Sequence, residues 1–112
     1  MKKIEAIIQP DKFDEVKEAL NSHGAKGVTI SQVLGHGNQK GKKQLYRGIQ
    51  TGISLLPKIK LEVVVTDSHV DEIVEVILKT AHTDTIGDGK IFIYNVEEAV
   101  RIRTGEKGEA AL

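Results

Sequence analysis

Residues 3–20, KIEAIIQPDKFDEVKEAL, and residues 60–77, KLEVVVTDSHVDEIVEVI, align without a gap at a spacing of 57 residues. Lys3 falls on Lys60, Glu5 on Glu62 and Asp14-Glu15 on Asp71-Glu72, and the apolar positions coincide almost throughout. Each copy opens with period-two alternation rich in β-branched residues, which predicts a strand. Each then turns to helical spacing. Phe13, Val16 and Leu20 share one face of the first helix, and Val70, Ile73, Val74, Ile77 and Ala81 form the stripe of the second. Asp11 is expected to cap the first helix and Gly24 to end it. Ser68 with Asp71 resembles a capping box for the second.

A further strand follows each helix, GVTISQVLG from residue 27 and KIFIYNV from residue 90. Two strand–helix–strand units predict an α+β fold, the βαββαβ ferredoxin-like sandwich, as a single domain over residues 1–112. One antiparallel sheet then carries both helices on one face. Ile7, Val64 and Phe92 or Ile93 are too apolar for the uncovered face to meet open water, so an oligomer is expected. The tail, residues 97–112, is polar, with a short helix and a short strand expected in it.

Composition narrows the function classes. Sixteen basic and sixteen acidic residues cancel, which argues against a general nucleic-acid binder. An RNA-recognition sheet needs stacking aromatics on its central strands. Those strands offer Ile4, Ile8, Leu61 and Val63, with aromatics only at Phe92 and Tyr94. The chain has no cysteine, which fits a reducing, cytoplasmic setting. Its N-terminus reads as neither signal peptide nor membrane span. His23, His36, His69 and His82 lack metal-ligand spacing, and no serine sits in a nucleophile elbow, so no catalytic residue is assigned.

Three segments suit anions. GHGNQKGKKQLYRGIQTG, residues 35–52, is glycine-rich and basic with no acid, and a loop of this length is uncommon in a compact domain and is usually functional or disordered. In TDTIGDGKIF, residues 83–92, Gly87 and Gly89 flank Asp88 and precede Lys90. Such a turn can aim backbone N–H groups at one anion while the lysine adds charge. Arg101 and Arg103, read as alternate residues of a strand, would face one side and share an anion.

Taken together, GDGKIF with the preceding Thr83, VRIRTGE, GHGNQKG, QLYRG and LLPKIKLEVVV resemble the PII signal-transduction proteins, over essentially the whole chain. The resemblance implies a homotrimer, with ATP or ADP in clefts between subunits. A T-loop, about residues 36–54, would reach a target protein, and the C-terminal tail would run from about 97 to 112. Thr29, Glu62 and Val64 would lie by adenine and ribose. The loop base, Gly35, Gly37, Asn38 and Gln39, would meet phosphate, as would Gly87, Gly89 and Lys90. Ile7 and Asp88 complete the nucleotide set, and Arg101 and Arg103 would enter from the neighbouring subunit. Gln39 would hold Mg²⁺ between ATP and 2-oxoglutarate, with Lys58 on a carboxylate of that acid.

The chain also departs from the family pattern. Thr51 stands where a modifiable tyrosine is common, and Ile49 where some members have a phosphorylated serine. Asn38 replaces an arginine beside the nucleotide. Gln9 replaces a cation near 2-oxoglutarate, so that acid is expected to bind weakly. The resulting expectation is a non-enzymatic regulator reporting energy state, and to some degree nitrogen and carbon status. Its target would be a metabolic enzyme or a transporter, an ammonium channel by family default, which would recruit it to the membrane. The competing reading is a small enzyme that hydrolyses ATP in the same clefts.

Overall fold

The computed structural model describes the backbone of residues 1–37, 45–46, 49–50 and 54–112, and the side chains of residues 1–36 and 55–112. The elements run β1 (Lys2–Ile8), α1 (Phe13–Ser22), β2 (Thr29–Gly37), β3 (Leu45–Tyr46), β4 (Ile49–Gln50), β5 (Ser54–Val65), α2 (Val70–Ala81) and β6 (Lys90–Asn95). Four strands form an antiparallel sheet in the order β2-β5-β1-β6, and β3 pairs with β4 apart from it. This is the ferredoxin-like arrangement expected from the repeat, with each half's first strand at the centre.

Register follows the alternation. Ile4, Ala6 and Ile8 lie opposite Val63, Leu61 and Ile59, and all six are buried against the helices. Val16 and Leu20 of α1 and Ile73, Val76 and Ile77 of α2 close that core. Each such side chain contributes roughly 1.5–3 kcal/mol by leaving water. Val76 lies outside the stripe expected for α2, because the helix packs against α1 as well as the sheet.

The opposite face carries Lys3, Glu5 and Ile7 beside Val64, Glu62 and Lys60. Glu5 and Glu62 sit directly opposite each other, a repulsive placement. Lys3 and Lys60 relieve it, at 3.4 and 3.9 Å from the Glu62 carboxylate. On β6, Phe92 and Tyr94 extend this face, while Ile93 turns to the helix side and is 50% exposed at the sheet edge.

Helix ends depart from expectation in two places. Asp11 and Ser68 fall inside single 3-10 turns, Pro10–Lys12 and Asp67–His69, that lead into α1 and α2. Neither helix receives a side-chain cap bond. The N-cap positions fall to Lys12 and His69, so each residue expected to cap sits one position too early, inside the 3-10 turn. Gly24 does end α1: at φ +80° it lets the Ala25 N–H return to the Leu20 carbonyl at 3.0 Å.

The tail is also corrected. Ile102 to Thr104 form a turn, Val100 bridges Lys107, and a 3-10 helix spans Gly108–Ala111. Arg101 and Arg103 therefore do not share one face of a strand. Among the described residues no helix is long and apolar enough to cross a membrane.

Candidate functional site

The connection from α2 to β6, residues 82–89, is tied by short-range hydrogen bonds. The Thr83 N–H donates to the Asp88 carboxylate at 2.8 Å, and the Thr83 hydroxyl donates to its other oxygen. These two bonds hold the Asp88 carboxyl below its ordinary range, with a smaller contribution from the nearby His82. Asp84 adopts φ +64°, while Gly87 and Gly89 adopt +102° and +101°. Gly89 is required for space as well as conformation. A Cβ built there would lie 1.7 Å from the Ile7 carbonyl oxygen.

Lys58, near the middle of β5, is only 8% exposed. Its ammonium donates to the Gly87 carbonyl at 2.7 Å and to the Gln9 side-chain oxygen at 3.2 Å. Its stem runs past Gly35, where an added Cβ would stand 3.4 Å from the lysine Cγ. Four chain segments thereby meet around a cavity of ≈ 410 Å³ lined by Ile7, Gly35, His36, Lys58, Gly87, Asp88, Gly89 and Lys90. Two cations beside a glycine-bearing turn suit a polyphosphate, whose oxygens accept charge-assisted bonds. Asp88 is a poor general base, because hydrogen bonding to its ionised form lowers its proton affinity.

Thr29, Glu62 and Val64 lie elsewhere. They line a second cavity, ≈ 350 Å³, together with Lys3, Lys26, Gly27, Val63, Ala111 and Leu112. Arg101 stands near this second group. Its guanidinium donates to Glu106 and to the Leu112 carbonyl, both at 3.0 Å. Arg103 is exposed.

One chain therefore divides the expected site residues between two cavities. Ile7, Gly35, Lys58, Gly87, Asp88, Gly89 and Lys90 come together in the first. Thr29, Glu62 and Val64 come together in the second, with Arg101 bonded to one of its lining residues. The Gly37 backbone closes β2. Asn38, Gln39, Thr51 and the Ile49 side chain lie outside the described residues, as does the interaction expected of the T-loop. Among the described residues no cluster of three metal-ligating side chains occurs.

Sequence reading missed the Thr83–Asp88 latch, the bond from Lys58 to Gly87, and the Arg101–Glu106 ion pair. A hydroxyl followed five residues later by the acid of an Asp-Gly turn was the available signal for the first.

The four-stranded antiparallel sheet with both helices on one face defines a small α+β domain of the ferredoxin-like class. Residues 1–106 match the family of nitrogen regulatory protein P-II, and the chain belongs to that family. It is similar to the nitrogen regulatory protein P-II of Azospirillum brasilense (58% identical), of Haemophilus influenzae (56%) and of Pasteurella multocida (54%). Each alignment spans 112 residues, the whole of both chains. The family consists of regulators of nitrogen metabolism rather than enzymes.

Proposed function

We propose that the protein is a cytoplasmic homotrimer that binds ATP or ADP between subunits and signals energy state to a target through the loop of residues 36–54. The division of the site residues between two separate cavities carries this reading. Among the described residues, neither half joins the base-and-ribose partners to the glycine-bearing turn. The Thr29–Glu62–Val64 half offers backbone and a carboxylate suited to base and ribose. The Gly35–Gly87–Lys90 half offers cations and glycine-bearing backbone suited to phosphates. A neighbouring copy would oppose one half to the other and bring Arg101 and Arg103 to the phosphates. The apolar open face, with Ile7, Val64 and Phe92, would be covered in the same step.

The fit to nucleotide rests on the chemistry of the donors. Lys90 is exposed and adjoins the cavity. Gly89 lets the turn lie directly against the Ile7 backbone carbonyl, where any Cβ would collide. Gln39 would take the Mg²⁺ when ATP and 2-oxoglutarate are both bound. Lys58 is the cation available to a 2-oxoglutarate carboxylate. Its ammonium already has the Gln9 amide and the Gly87 carbonyl as acceptors, and Gln9 brings no charge of its own. 2-Oxoglutarate therefore binds weakly, and the ATP/ADP ratio is the main input. The target is a metabolic enzyme or a membrane transporter, such as an ammonium channel.

Light scattering and calorimetry test this together. The expected result is a particle of about three chain masses. Arg103→Ala should lose about tenfold in ATP affinity, from one charge-assisted phosphate contact. A stable monomer at micromolar concentration, or unchanged affinity in the variant, would overturn the inter-subunit site. Phosphate release from the bound nucleotide is expected to stay at the uncatalysed rate.

A further inference from the structure

Ile102 is the most exposed large apolar side chain among the described residues, at 101%. It stands at the tip of a hairpin in the tail, and that hairpin is closed without its help. The Arg101 N–H donates to the Glu106 carbonyl at 2.8 Å, and the Gly105 N–H donates to the Arg101 carbonyl at 2.7 Å. The Thr104 hydroxyl donates to the Glu106 carboxylate at 2.8 Å. An isoleucine held in water by a turn tied in this way can bury its apolar surface only against something outside its own chain.

A groove of ≈ 440 Å³ lies between α2 and β6, at the open edge of the sheet. Val74, Ile77, Leu78, Ala81, Ile91 and Ile93 line it, and Leu78 and Ile93 are half exposed. Ile7, Asp88, Gly89 and Lys90 wall both this groove and the phosphate-facing cavity, so the two hollows adjoin.

We propose that Ile102 of one subunit seats in the α2–β6 groove of the next, as an apolar anchor of the contact between them. The occupant is a second copy of this chain because of where the two features lie. Arg101 ties the hairpin to Leu112, which lines the cavity of Thr29, Glu62 and Val64. The groove adjoins the other cavity. Opposing the two cavities between neighbours, the assembly reading on which this inference rests, therefore brings the hairpin of one copy to the groove of the other. The chemistry matches, since a branched aliphatic side chain meets aliphatic walls. The hairpin's own hydrogen bonds already order the anchor, so seating it costs little conformational entropy. Knob and groove are different surfaces, which makes the contact heterologous. Each subunit gives its knob to one neighbour and its groove to the other, and such contacts can close into a ring.

The chain has no cysteine, so introduced thiols report the contact directly. Leu78→Cys chains and Ile102→Cys chains are unfolded, refolded together and treated with a mild oxidant. Disulfide-linked pairs should appear on a denaturing gel, because residue 102 seated in the groove lies within disulfide reach of residue 78. Glu15→Cys, exposed on α1, should give no such pairs in place of Leu78→Cys. Light scattering on dilution is the second readout. Ile102→Asp should raise the concentration at which the assembly dissociates by about tenfold or more, while Ile102→Val should change it little. Ile102 is wholly exposed in its own chain, so these replacements leave the packing of the single chain intact. Assembly of Ile102→Asp as tight as wild type overturns the proposal. So do linked pairs no more abundant than those with Glu15→Cys. If this happens in a wild-type assembly that binds ATP, the contact fails alone. A wild-type monomer at micromolar concentration overturns the contact and the inter-subunit reading together. Linked pairs in a protein that binds no ATP support the contact and remove the nucleotide reading.

Discussion

Along β1, Ile4, Ala6 and Ile8 are 1%, 0% and 1% exposed, while Lys3, Glu5 and Ile7 on the opposite face keep contact with solvent. Both faces belong to one strand pair in one register, and both contain isoleucine and valine. The helices make the difference. Where α1 and α2 lie, apolar residues are locked into a core and determine stability. Where no helix lies, Ile7 and Val64 stand among Lys3, Lys60 and Glu62, whose charges are partly paired. Ile7 and Lys60 are cross-strand neighbours on that face, and Ile7 also walls the anion-suited cavity. The face that folding leaves uncovered thus supplies part of that cavity's wall.

The comparison breaks most visibly if a core substitution proves mild. Ile73 is 0% exposed at the centre of the helix-covered face. Ile73→Ala removes its methyl groups and leaves a cavity, at a cost of about 2–5 kcal/mol. Urea denaturation at fixed protein concentration should show the midpoint falling with little change in slope.

Gly89→Ala tests the point where the two faces meet. The new Cβ would collide with the Ile7 backbone carbonyl, which cannot rotate away, and φ +101° is strained for alanine. We expect a stability loss of about 1–3 kcal/mol, together with a greater loss of ATP affinity than Ile73→Ala causes. Equal stability to wild type would mean that the turn and β1 can separate freely, contrary to their register.

On the open face, Phe92 lies opposite Glu5 and is 45% exposed in the single chain. Phe92→Ser should cost about 1 kcal/mol in folding, since much of the ring is already in water. Its larger effect should be on assembly, read as dissociation on dilution in light scattering. A variant that unfolds like Ile73→Ala but stays assembled would reverse the roles assigned to the two faces.

The first face was the more legible in the sequence. Its code is periodicity, and the repeat states that code twice, so the buried face of each strand and most of both helix stripes, Val76 excepted, could be read from residues 3–20 and 60–77. Caps were misread because a 3-10 turn and the first turn of an α-helix have similar sequences, and Asp11 and Ser68 lie in the former. The tail was misread because alternation over Arg101 to Arg103 is too short to separate a strand from a turn. On the second face, motif resemblance named Gly87, Gly89 and Lys90, and the cavity gathers them. What no local pattern could show is contact across distance. Lys58 meets Gly87 over 29 residues and Gln9 over 49, and only the sheet order β2-β5-β1-β6 brings them together.

The smallest effect concerns acid stability, and it sharpens the contrast because it comes from the turn rather than the core. Asp88 has its carboxyl lowered first by the Thr83 hydroxyl and then by the Thr83 N–H. A carboxyl that holds its proton less tightly when folded favours the folded state wherever it is ionised. That stabilisation is complete above the unfolded value, about 3.9. It disappears as pH falls through the lower folded value, where both states are protonated. Thr83→Val keeps the backbone bond and removes the hydroxyl bond. At pH 7 it should cost about 0.5–1 kcal/mol, since the carboxylate keeps some contact with water. Below about pH 4 the difference between variant and wild type should shrink toward zero, because the proton that wild type must take up weakens the bond the variant already lacks. Denaturation midpoints compared at pH 7 and pH 3 check the sign. A gap that widens on acidification would mean that Thr83 favours the protonated carboxyl and that Asp88 is not held ionised by the turn.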